Sequence, residues 1–296
     1  MKNKIMIAMG MILVAMVFAS GCAAKPTSSN GVVSSESATE SYIAMAKAKL
    51  ETSSDFTSDF YGEVKMGEDG VETVSKAKVE MMKEPLRVSI VMQDSFEKDT
   101  VSSQLYLEKV SDGVNMYMVY DGQWTEMTLD ENNAMKSVGV YDATKNMGLL
   151  LAAGENWEQI SLNNGIVTIT GELPAQKVYD ISEAGAFLQL AGMNGVDQSY
   201  YSGVEAVPFE IQVKEDGTPV AFSVDFAKTL ETVMDHVLQE LGQAGEDPIY
   251  VEKYYISQNF SKVGDVKKIE IPVEARDAIN YEKEISLLES SAAAHQ

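Results

Sequence analysis

The chain has 296 residues, with 45 acidic against 23 basic side chains and a formal charge of −22. That balance argues against nucleic acid and against docking of the protein body on anionic lipid. One cysteine leaves no disulfide framework, and 45% hydrophobic content is that of a folded chain long enough for one large domain or two small ones.

Lys2 and Lys4 open the sequence, Ile5 to Phe18 is uncharged and apolar, and Ala19-Ser20-Gly21 precede Cys22. The apolar run is short for a membrane span, which needs about 20 residues, and has the shape of a secretory signal core. With the cysteine directly after small residues, it resembles a bacterial lipoprotein signal, although the pattern prefers Leu where this chain has Ala19. The resemblance implies a signal over 1–21, lipidation of Cys22 and a diacylglyceryl anchor at the extracytoplasmic face of the cell membrane. An ordinary secretory signal or an uncleaved anchor are the alternatives. Without residues 1–21 the chain carries 21 basic and 45 acidic residues, a charge of −24.

Residues 22–40 are rich in Ser, Thr and Ala and read as a flexible tether. Tyr42, Ile43, Ala46 and Leu50 predict a short amphipathic helix over about 38–52. From Asp55 the period changes to two. Six strands follow between 55 and 129, punctuated by turns that include Glu84-Pro85, Ser111-Asp112-Gly113 and Asp121-Gly122. This is the pattern of an antiparallel meander with one buried face, and Asp121-Gly122 is a strong hairpin signal. Helical spacing covers 131–153 and 175–193, with strands near 157–160 and 166–172 between them. A hairpin about Glu215-Asp216-Gly217 leads to a helix with Leu230, Val233, Val237 and Leu241 on one stripe. Strands are predicted at 250–260 and 267–273, and a polar tail from about 283. We read the chain as an α+β fold: one curved antiparallel half-barrel sheet over 41–282, with helices across its concave face. Two separate lobes are the alternative.

The tether, the meander containing Met116-Tyr117-Met118-Val119-Tyr120-Asp121-Gly122-Gln123-Trp124, the Glu215-Asp216-Gly217-Thr218-Pro219 hairpin and Ile269-Glu270-Ile271-Pro272 resemble the LolA/LppX-like lipoproteins and their Gram-positive relatives. The resemblance covers about 40–275. It implies an incompletely closed half-barrel whose hollow, in several members, carries lipid or lipid-linked acyl chains. No residue-level binding motif transfers, and the length around 228–248 departs from compact members.

Catalytic patterns are missing from the sequence. There is no Gly-x-Ser-x-Gly, phosphate loop, dinucleotide loop or calcium loop. His236 and His295 are the only histidines, and His236 is placed on the solvent side of its helix. The acids Glu68-Asp69, Asp94 with Glu97, and Glu246-Asp247 read as solvated turn residues. No enzyme activity, metal or cofactor is expected. What remains is methionine. Met66, Met81, Met92, Met116 and Met118 fall on the apolar face of predicted strands, and Met147, Met193 and Met234 on predicted helices. They suit either a pliable cavity for acyl chains or a packed core that happens to use methionine. The expected partners are the membrane through the anchor, an apolar ligand such as a lipid, or an envelope protein that meets a solid-cored sensor.

Overall fold

The computed structural model describes residues 35–67, 70–96, 99–243 and 249–280. The signal, Cys22, the tether to residue 34, the tail from 283, Glu68-Asp69, Glu97 and Glu246-Asp247 lie outside them.

One twelve-stranded sheet runs through the described chain. Its first half is a meander of six strands, β1 (Asp55–Met66), β2 (Glu72–Lys83), β3 (Leu86–Phe96), β4 (Asp99–Val110), β5 (Gly113–Tyr120) and β6 (Gln123–Leu129). The second half holds β7 (Glu155–Asn163), β8 (Ile166–Leu173), β9 (Val207–Lys214), β10 (Pro219–Asp225) and β11 (Val251–Val263), with β12 (Ile279–Asn280) last. Across the open, curved sheet the order is β12-β6-β5-β4-β3-β2-β1-β11-β10-β9-β8-β7. Every neighbouring pair is antiparallel except β12 on β6. The halves join where β1 pairs with β11, from Phe56 opposite Val263 to Met66 opposite Val251.

The turns follow from local chemistry. Asp121-Gly122 and Asn164-Gly165 have φ of 50° and 76°, and 51° and 76°. Both residues of a type I′ hairpin turn need that left-handed geometry, which Asp, Asn and Gly tolerate best.

Among the described residues six α-helices accompany the sheet: α1 (Ser35–Glu51), α2 (Glu131–Ser137), α3 (Ala143–Ala153), α4 (Ala175–Gly185), α5 (Ala227–Glu240) and α6 (Val273–Arg276). In α1, Thr39, Ile43, Ala46 and Leu50 are buried at helical spacing. This helix begins at Ser35, so residues 35–40, read from sequence as tether, are helical. Asp130 caps α2 by accepting from the Asn133 amide at 3.0 Å, and Asp142 caps α3 by accepting from the Lys145 amide at 3.0 Å. The main core lies between one face of the sheet and α1, α3, α4 and α5. It contains Phe187 stacked on Phe226 at 5.2 Å and Phe60 edge-on to Tyr141 at 4.8 Å. Gly62 on β1 leaves room for Leu190, whose Cδ1 a Cβ there would overlap.

The stretch 267–273 corrects the sequence reading. It is not a closing strand but part of a strap that crosses the other face of the sheet. Val266 N donates to Asp55 Oδ1 at 2.6 Å, and Ile271 and Ala275 pack on Tyr106 and Tyr117 in a second, smaller core. Ile269 and Ile271 alternate like strand residues because both are buried. β12 then adds to the outer edge of β6, with Ile279 opposite Thr125.

Candidate functional site

The α2–α3 connection is the best-built irregular segment of the fold. α2 ends at Ser137, and Gly139–Tyr141 form a 3-10 turn before α3. Buried Asn146 on α3 holds this turn, its Nδ2 donating to the Gly139 carbonyl at 3.2 Å and the Val140 carbonyl at 3.0 Å. Gln189 donates from Nε2 to the Ser137 carbonyl at 2.7 Å and accepts from the Val140 amide at 3.3 Å. From the sheet, Gln258 donates to the Val140 carbonyl at 3.1 Å. Such pairing offsets the cost of burying irregular backbone. Asn146 Oδ1, Gln258 Oε1 and Ser58 Oγ are buried with no protein partner among the described residues.

Over this turn lies a groove of about 570 Å³ between α2, the start of α3 and the end of α4. Its lower wall is made by Gly139, Ala184 and Ala186, with Met135 beside them. Gly139 is required there, since a Cβ would stand 2.8 Å from the Cβ of Ala186. Ala186 has φ 53° and ends α4 in the left-handed conformation. Lys136 and Lys145 line the groove, and neither ammonium has a carboxylate partner among the described residues. Glu183, the one acid in the lining, is already engaged. Its Oε2 accepts from the Gly195 amide at 2.8 Å and its Oε1 from the Tyr201 hydroxyl at 3.2 Å.

The sequence-selected methionines are spread through the fold. Met81, Met116 and Met147 are buried in the main core. Met66, Met92 and Met234 pack half-buried against it. Met118 lies two residues along β5 from Met116 yet stands 39% exposed, so it does not belong with the buried set. The methionine at the groove is Met135, on the short helix before the turn, where no strand alternation marked it. Cys22 lies outside the described residues.

Two further polar arrangements differ from the sequence reading. His236 is half-buried, not solvated, with Nδ1 2.7 Å from the Tyr200 carbonyl. A carbonyl only accepts, so Nδ1 carries the proton. On the sheet face away from the main core, Glu63 accepts from Tyr61 Oη at 2.6 Å and pairs with Lys253 Nζ at 2.6 Å. Burial pushes the Glu63 carboxyl up, but hydrogen bonds from Lys253, Tyr61 and Glu72 outweigh it and hold it below the usual range. Hydrogen bonding to Glu63, with repulsion from its charge, raises Glu72. Tyr61 is pushed up to about 12, first by its hydrogen bond to Glu63. Among the described residues, no group of three or more His, Cys, Asp or Glu is placed to hold a metal ion, and no helix is long and apolar enough to cross a membrane.

No family model and no curated protein matches the sequence. Solved structures do resemble the fold. The lipoprotein LppX of Mycobacterium tuberculosis is 14% identical, with a TM-score of 0.42 covering 79% of this chain and 98% of that one. LprF from Mycobacterium bovis is 10% identical, with a TM-score of 0.46 covering 81% and 98%. A DUF1329 family protein from Desulfovibrio piger is 8% identical, with a TM-score of 0.23. The structural neighbours are thus the LppX and LprF lipoproteins.

Proposed function

We propose that this protein is an extracytoplasmic lipoprotein, lipidated at Cys22 and anchored in the cell membrane, that binds a lipid or other apolar ligand without catalysing a reaction. In this reading 1–21 is the signal, 22–34 the tether, and the sheet a half-barrel with helices across its hollow. The observation that carries the reading is the groove of about 570 Å³ beside the helix-covered core, inside the range of about 300–1,000 Å³ typical of small-ligand sites. Met66, Met81, Met92, Met116, Met147 and Met234, in or against the main core, are proposed as pliable walls that repack around an acyl chain, methionine being the apolar side chain that adapts most readily. Native mass spectrometry of the full-length protein, gently extracted from its membrane, tests this. A mass excess that dissociates as lipid supports it, and a protein carrying only its covalent acyl groups overturns it.

One observation favours a second reading. Phe56, Met81, Leu107, Met147, Leu150 and Phe187 are fully buried, which describes a packed centre. A solid-cored envelope protein would act through its surface, and crosslinking in cells would then give one dominant protein partner.

A further inference from the structure

We infer that the groove between α2, α3 and α4 binds a single phosphate-bearing amphiphile, its headgroup between Lys136 and Lys145 and the start of its chain along Met135, Ala184 and Ala186. This rests on the apolar-ligand reading above and narrows it to one ligand class at one site. The groove has two chemistries side by side. Its apolar stretch is Gly139, Ala184, Ala186 and Met135, and its polar part is Asn132, Asn194, Glu183 and the two lysines, whose ammonium groups have no carboxylate partner among the described residues. Glu183, the one acid in the lining, accepts from the Gly195 amide and the Tyr201 hydroxyl and pairs with neither lysine, so two ammonium groups against one carboxylate leave the lining net positive. On a chain of net charge −22, a net positive lining favours an anion at this groove over the rest of the surface.

Two features point to a monomeric ligand and away from a bilayer surface. A volume of about 570 Å³ admits a headgroup and a short run of chain, not several lipids. The acidic body is repelled by an anionic membrane, while attraction to two lysines acts within a Debye length, about 10 Å at ~0.1 M salt. The groove is also held ready. Asn146 and Gln189 fix the turn beneath it, and the Gly139–Ala186 approach closes its lower wall. Little ordering is therefore left for the ligand to impose.

The test uses the full-length protein in phosphatidylcholine nanodiscs, with empty nanodiscs as blank, titrated calorimetrically with a short-chain lysophosphatidic acid. Monoacylglycerol of the same chain and inorganic phosphate are the comparison probes. Lysophosphatidic acid is expected to bind more tightly than either. Lys136→Gln with Lys145→Gln should weaken it about tenfold or more, and Lys136→Arg with Lys145→Arg should retain it. Both lysines are exposed and make no ion pair among the described residues, so an unchanged melting temperature certifies the variants. Wild-type affinity in the glutamine variant overturns the inference. Equal binding of inorganic phosphate overturns the amphiphile, and lysine-dependent co-sedimentation with phosphatidylglycerol vesicles overturns the monomer. If monoacylglycerol binds as well as the anion and ignores both lysines, this inference fails while the apolar-ligand reading stands. If no amphiphile binds, both fail.

Discussion

Glu108 on β4 and Arg276 at the end of α6 meet side by side, Nη1 to Oε2 at 3.0 Å and Nη2 to Oε1 at 3.1 Å, although 168 residues separate them. Arg87 donates to the same Oε1 at 2.8 Å and, through Nη1, to the Ile269 carbonyl at 3.2 Å. One carboxylate, itself nearly buried, therefore fastens the strap to the sheet at two points.

Glu108→Ala should loosen the strap, because it removes the carboxylate that both guanidinium groups share and leaves Arg87 only the Ile269 carbonyl. The expected loss is about 2 kcal/mol, below the range for fully buried pairs because both arginines are partly exposed. Urea denaturation gives the magnitude. Hydrogen exchange should quicken at the Ala275 and Ala278 amides, and a variant that destabilises without that local change would place the latch elsewhere.

Gly217 closes the β9–β10 hairpin with φ 79°, and a Cβ there would overlap Met45 Cβ and stand 2.8 Å from the Met45 carbonyl carbon. Gly217→Ala therefore combines left-handed strain with a collision against the backbone of α1. About 3 kcal/mol of destabilisation is expected. Chemical denaturation checks it, and an effect under about 0.5 kcal/mol would show that α1 shifts freely.

The methionines separate by burial. Met81→Ala and Met147→Ala should each cost about 3 kcal/mol, the usual penalty for emptying a filled core site. Met118→Ala, at an exposed site, should stay within about 0.5 kcal/mol. Denaturation of the three variants measures this directly. Near-neutral Met81 and Met147 variants would mean that their surroundings already contain unfilled space.

At high pH the tyrosines should resist ionisation. Tyr61 rises from 10.0 to about 12 because its hydroxyl is bound to the Glu63 carboxylate. The folded value exceeds the unfolded one, so its contribution is complete below about pH 10 and is lost as pH climbs to about 12. Burial pushes Tyr141, Tyr201 and Tyr254 further still above the ordinary phenol range. Ultraviolet titration should show a group of tyrosines that ionises only on unfolding. Tyr61→Phe should flatten the fall in stability between about pH 10 and 12, and an unchanged slope would remove Tyr61 from the account.

The meander and the β7–β8 hairpin are legible because their strands alternate polar and apolar residues, and because Asp121-Gly122 and Asn164-Gly165 carry their turn geometry in their residue types. The strap was misread since alternation reports which side chains are buried, not what buries them: Ile269 and Ile271 satisfy it without a strand partner. Alternation also places Met116 and Met118 on one face, but how far the helical cover extends depends on tertiary packing. Likewise Leu241 continues the α5 stripe beyond its cover and is 62% exposed. The groove left little trace, since Gly139 and Ala186 matter for the close approach they allow, and small residues have no periodic signature. His236 was judged by its own helix, while its acceptor comes from Tyr200, 36 residues away.

The β1–β11 seam gives the molecule an order of assembly. As the chain emerges N-terminus first, β1 to β6 can pair by hairpins, and β7 to β10 can follow in their own group. Until residues 251–263 arrive, β1 and β10 each present an open edge, the kind of surface that recruits strands from other chains. The strand that joins the two halves in the middle of the sheet is the last of the long strands to arrive. A nascent chain stopped before Val251 would hold two half-sheets with two adhesive borders, so the period of greatest aggregation risk ends only when β11 slots between them.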